Sequence, residues 1–136
     1  MKNLIIGIIL IISGCTTAIP TDPIISSKFI GVWNWKPIKG NSCPETHEYL
    51  ANGHLIIHSG EEILEKSYVI TVVGGGFYQI STMNLKSNGK KDCFGNLSKL
   101  KNTNYFFVWF NNSGALTTCS TADGMACYGT ANRAKQ

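Results

Sequence analysis

Arginine is almost missing from this chain: the 136 residues contain a single one, Arg133, and the formal net charge is only +4. Without a basic stripe or an arginine cluster there is no electrostatic footprint for nucleic acid, and none is expected as a partner. The residue patterns of catalysis are missing as well. There is no Gly-x-Ser-x-Gly, and no Asp sits near the histidines, so no nucleophile with a base is in view. No Cys-x-x-Cys pair occurs, and the histidines lie in a different segment from the cysteines, which removes the common zinc patterns. Gly74-Gly75-Gly76 lacks the Lys-Ser/Thr of a phosphate-binding loop and reads as a hairpin connection. A long apolar run is missing too. Leu4–Ile12, broken by Gly7, falls short of the roughly 20 residues that cross about 30 Å of hydrocarbon. A non-enzymatic protein with no cofactor is the expectation.

What the chain does have begins at its N-terminus. Met1-Lys2-Asn3 carries one positive charge, Leu4–Ile12 is apolar, and Ser13-Gly14 are small; that order describes a secretory signal. Ile12-Ser13-Gly14-Cys15 resembles the lipobox of bacterial lipoproteins. The resemblance implies cleavage before Cys15, a diacylglycerol on its thiol and a further acyl chain, such as palmitate, on the new amino group. Two or three chains hold a protein stably at a membrane where one does so only marginally. Residue +2 is Thr16 and not the Asp of inner-membrane retention, so the implied address is the outer membrane, facing the periplasm or the cell surface. The expected organisation is a signal peptide over 1–14, a lipidated N-terminus and tether over 15–27, and one small domain over 28–136. The mature 122 residues carry 11 Lys and Arg against 8 Asp and Glu, a charge of +3.

Four cysteines remain besides Cys15: Cys43, Cys93, Cys119 and Cys127. In a small exported domain an even count implies two disulfides, with three connectivities open. We favour Cys119–Cys127 with Cys43–Cys93, because the intervening residues around Ala122-Asp123-Gly124 suit a turn between paired strands. The body is rich in β-formers separated by turn residues. Strands are expected at Phe29–Trp35, Glu45–Leu50, His54–His58, Ser67–Val73, Phe77–Met83, Asn104–Phe110, Ala115–Cys119 and Ala126–Thr130. Asn52-Gly53 marks a hairpin, and Glu61–Lys66 is taken as a connection with solvated charges. Seven or eight such strands make an all-β antiparallel meander, closed as a barrel or a sandwich, and closure removes aggregation-prone edges.

Phe29-Ile30-Gly31-Val32-Trp33 resembles the Gly-x-Trp opening of lipocalin-like (calycin) barrels. In that superfamily the first-strand Trp packs against a basic residue near the barrel's end, which implies a contact of Gly31 and Trp33 with Arg133, worth about 0.5–2 kcal/mol as a cation–π pair. The chain is shorter than a full lipocalin and lacks an evident middle-loop motif, so a reduced cup is expected rather than a roomy barrel.

Two surface questions remain. His47, His54 and His58 fall within twelve residues beside Glu45 and Glu48; His54 and His58 share a strand face and could meet Glu45 or His47 across the hairpin around a metal. The plainer reading, a polar outer face with no metal, is preferred. On the aromatic strand, Tyr105, Phe106, Phe107, Trp109 and Phe110 must put rings on both faces. Tyr105 and Trp109 are the candidate binding positions, although burial in core and interface is favoured. The expected function is a non-enzymatic binding or accessory domain of the envelope, holding a small apolar ligand or an envelope protein. One alternative is an inhibitor similar to the membrane-bound inhibitors of C-type lysozyme, on size, anchor and cysteine count. Ser59-Gly60 with Tyr68 resembles that family's Ser-Gly…Tyr stretch at a different spacing, so no inhibitory residue is carried over. A second alternative is a subunit of an envelope assembly.

Overall fold

Runs of β-branched and aromatic residues with period-two polarity favour strands that bury one face, and here they form a single closed sheet. The computed structural model describes residues 27–40 and 43–135; the signal-like segment, Cys15 and the tether as far as residue 26 lie outside them. The strands are β1 (Gly31–Pro37), β2 (Glu45–Tyr49), β3 (His54–Ser59), β4 (Glu62–Gly74), β5 (Phe77–Ser87), β6 (Thr103–Phe110), β7 (Leu116–Cys119) and β8 (Cys127–Arg133). Each pairs antiparallel with its neighbour in sequence and β8 closes on β1. The fold is therefore an eight-stranded meander barrel, of the two closed forms expected. Cys43 is bonded to Cys93 and Cys119 to Cys127.

Two sequence expectations need correction. Glu61–Lys66 is not a connection, because β4 starts at Glu62 and runs thirteen residues. Glu62, Leu64 and Lys66 share the inward face with Ser59, Ile57 and Leu55, their partners on β3. Glu62 is 3% exposed, so it is a buried carboxylate and not a solvated one. Charged residues on the inner face disguised the strand, since alternation was sought in apolar residues.

Phe29, expected in the first strand, instead sits in one helical turn over residues 27–29. The chain breaks direction at Gly31, whose φ of +122° is one that L side chains rarely adopt. A Cβ there would lie 2.8 Å from Arg133 Nη1. The arginine explains the close approach: its Nη1 donates to the Ile30 carbonyl at 2.6 Å and its Nη2 to the Lys28 carbonyl at 2.8 Å. Trp33 Nε1 donates to the Phe29 carbonyl at 2.8 Å, and the guanidinium lies over the Trp33 ring, 4.4 Å from its centroid. Arginine and tryptophan together thus satisfy the carbonyls of the turn and press Phe29 into the barrel. Its ring is fully buried, with centroids 5.2 Å from Phe110, 5.3 Å from Tyr78 and 6.1 Å from Tyr49. One end of the barrel is closed by packed rings.

Candidate functional site

Two residues further along β1 the interior changes character. Trp33 belongs to the packed end, while Trp35 looks into a cavity of about 410 Å³, within the roughly 300–1,000 Å³ of small-molecule sites. Register sets its walls. Opposed residues share a face in antiparallel pairs, so Trp35 puts Glu45 inside, Trp33 puts His47 inside, and Leu55 puts Lys66 inside. Leu55, Ile57, Val108 and Leu116 line the apolar side, and Lys66, Thr82, Asn104 and Thr118 bring polar groups to the same space.

Trp35 is held flat. Its indole stacks on the His47 ring at 5.9 Å and 6°, and its Nε1 donates to Thr118 Oγ1 at 3.3 Å. A Cβ on Gly129 would come within 2.3 Å of the indole, so only glycine on β8 lets the ring lie against the backbone. The imidazole is fixed in turn: His47 Nε2 lies 2.7 Å from Glu45 Oε2. With the carboxylate accepting, that nitrogen carries the proton. Glu45 Oε1 accepts from Ser59 Oγ at 2.9 Å, and the same hydroxyl accepts the Cys93 N–H at 3.2 Å. The Cys43–Cys93 disulfide is thereby linked through Ser59 to the orientation of Glu45.

Lys66 reaches the cavity from β4 and makes no salt bridge among the described residues. Burial lowers its pKa, while the negative charges of Glu45 and Glu62 act to raise it. The cavity thus holds a lysine on whose charge burial and the neighbouring carboxylates act in opposite directions. Burial also raises the pKa of Tyr128 at the rim, with the Glu45 charge acting in the same direction.

Chemically this is a fixed hydrogen-bonding array. Ser59 donates to the Glu45 carboxylate and is 2% exposed, so its hydroxyl is turned into the hydrogen-bond network and not towards the cavity space. Orientation and recognition are what the arrangement supports.

The residues singled out in the sequence are scattered. Gly31, Trp33 and Arg133 form the packed end. Tyr105 is 66% exposed and borders both the cavity and an outer groove of about 420 Å³. Trp109 lies on the outside against Phe77, 6.3 Å between centroids, and its buried Nε1 has no hydrogen-bond partner among the described residues. His54 sits on the outer face with Nδ1 2.6 Å from Glu65 Oε1, and His58 is exposed there. Both are on the opposite side of β3 from the inward neighbours of Glu45 and His47, so no shared metal site forms. Among the described residues the one grouping with metal-site spacing is Cys43, Glu45 and Cys93, and its sulfurs are engaged in the disulfide. Trp35, Glu45, His47 and Lys66 were missed as a group. Their one sequence signal is alternation, and polar residues at alternate positions read equally well as an outer face.

No family model matches the chain, and no curated protein or solved structure matches it either.

Proposed function

We propose that the chain is a lipid-anchored, non-enzymatic binding domain of the bacterial outer membrane, and that the barrel cavity takes a small amphipathic molecule. The observation that carries this reading is the cavity itself: a concave space, open at one end of the barrel, with apolar walls and a few converging polar groups is the ordinary form of a ligand site. The ligand's apolar body packs on Leu55, Val108 and Leu116, a planar portion lies against Trp35, and a polar end meets Lys66 and Asn104. The anchor rests on the resemblance of Ile12–Cys15 to a lipobox, and a lipocalin relationship on Gly31, Trp33 and Arg133. Fold analogy alone does not name a ligand.

The test is native mass spectrometry of the full chain taken from its own envelope in mild detergent. A bound small molecule at equal stoichiometry, lost in Trp35→Ala and Lys66→Met variants, is expected. A barrel that emerges empty, with tryptophan emission unmoved by envelope lipid and metabolite extracts, defeats the reading. A Cys15→Ser chain that stays on the membrane with the mass of the unmodified protein defeats the anchor separately.

A further inference from the structure

The connection from β5 to β6 covers residues 88–102 with neither helix nor strand, far longer than the few residues that usually join adjacent antiparallel strands. It is firmly held. Cys93 is bonded to Cys43. Asp92 Oδ1 accepts the N–H groups of Phe94 at 3.0 Å and Asn96 at 2.7 Å. Buried Asn84 donates its Nδ2 to the Lys99 carbonyl at 2.8 Å, and its backbone exchanges hydrogen bonds with Lys101 and Asn102.

Held in this way, the loop leaves Phe94, Leu97 and Leu100 each more than half exposed, at 55%, 59% and 57%. Four exposed lysines, Lys90, Lys91, Lys99 and Lys101, are interspersed with them. The loop's one carboxylate, Asp92, is occupied by the backbone. A fixed loop that cannot fold its apolar side chains inward marks an interaction surface. The spacing decides the kind of partner. Protein interfaces gather apolar residues into a contiguous core depleted of lysine. Here four lysines instead flank Phe94, Leu97 and Leu100 in one fixed loop, which matches the headgroup–acyl boundary, where rings and leucines enter and ammonium groups stay with the phosphates.

We propose that the 88–102 loop docks on an anionic phospholipid surface through Phe94, Leu97 and Leu100, with the four lysines on the headgroups. Cys93 ties the loop to the end of the barrel that carries Glu45 and Ser59, so docking turns the polar end of the cavity towards the bilayer. The surface does not depend on lipidation of Cys15, nor on occupancy of the cavity.

The test uses the full chain reconstituted into vesicles of phosphatidylcholine alone, and of phosphatidylcholine and phosphatidylglycerol in equal amounts. Phe94→Trp supplies a reporter, read as the emission added to that of the wild-type chain on the same vesicles. In the anionic vesicles the added emission shifts to the blue and is quenched by lipids brominated high on the acyl chain; in the neutral vesicles it stays that of a water-exposed indole. Leu97→Trp gives the same readout where Phe94→Trp disturbs folding, judged by near-ultraviolet circular dichroism. Each lysine near such a surface strengthens partitioning roughly fivefold, so Lys90→Gln with Lys99→Gln lowers the docked-to-free ratio about 25-fold. A reporter equally water-exposed on both vesicles, one inserted equally in both, or insertion indifferent to the lysine substitutions overturns the proposal.

Discussion

At one end of the barrel Phe29, Trp33, Tyr49, Tyr78 and Phe110 interlock, with Arg133 laid over Trp33. At the other end the strands surround Glu45, His47, Lys66, Thr82 and Asn104, with open space between them. Both disulfides lie at this second end, Cys43–Cys93 beside Glu45 and Ser59, and Cys119–Cys127 where β7 meets β8. Packing holds the first end and covalent bonds hold the second. The difference follows from what each end contains. Rings fill space and stabilise by burial, whereas a cavity with buried charge offers little burial and is costly to desolvate. Disulfides constrain the unfolded chain instead, so they can hold an end whose interior is not filled by side chains.

The sharpest way to break this comparison is substitution in β1. Trp33→Ala is expected to cost about 3–5 kcal/mol, the range for a buried large aromatic, measured by urea denaturation. Trp35→Ala, beside the cavity, costs clearly less while altering ligand retention, and an equal loss at the two positions removes the distinction. The disulfides sharpen it next. Cys43 and Cys93 are separated by 50 residues and Cys119 and Cys127 by 8. On chain entropy, replacing the first pair with serine costs about 4 kcal/mol and the second about 2.5 kcal/mol. Equal losses would mean that native-state contacts, and not loop closure, stabilise the hollow end.

The smallest effect is in alkali. Burial holds the phenol of Tyr49 well above its ordinary pKa of 10.0, and burial raises that of Tyr68 as well. Above pH 10 the unfolded chain therefore loses protons that the folded chain keeps, and stability falls as pH rises through that window. Tyr49→Phe should relieve up to about 1.4 kcal/mol of that fall per pH unit. Urea midpoints on either side of the unfolded tyrosine pKa give the slope, and an unchanged slope in the variant shows that Tyr49 is not its source.

The strands with β-branched and aromatic runs, β1, β4 beyond Lys66 and β6, were legible because their pattern has one physical reading. The start of β4 was not, because Glu62 and Lys66 occupy inward positions where apolar residues are the rule. The half of the barrel with the cavity was hidden for the same reason. Glu45, His47 and Lys66 look like surface residues until register turns them inside, and Tyr105 and Trp109 drew attention as rings although only Tyr105 borders the cavity.

Local chemistry, written in the order of residues, determined the all-β class and the turns at Asn52-Gly53 and Gly74–Gly76, and favoured the pairing of Cys119 with Cys127, since propensity, turn geometry and short separation act between near neighbours. Only the tertiary structure decided which face of each strand points inward when both carry polar residues, which end of the barrel is filled, and that Lys66 and Glu45 line one open cavity. Those outcomes depend on register and closure around all eight strands, and a slip of one residue in any pair would turn every side chain of that strand to the other face.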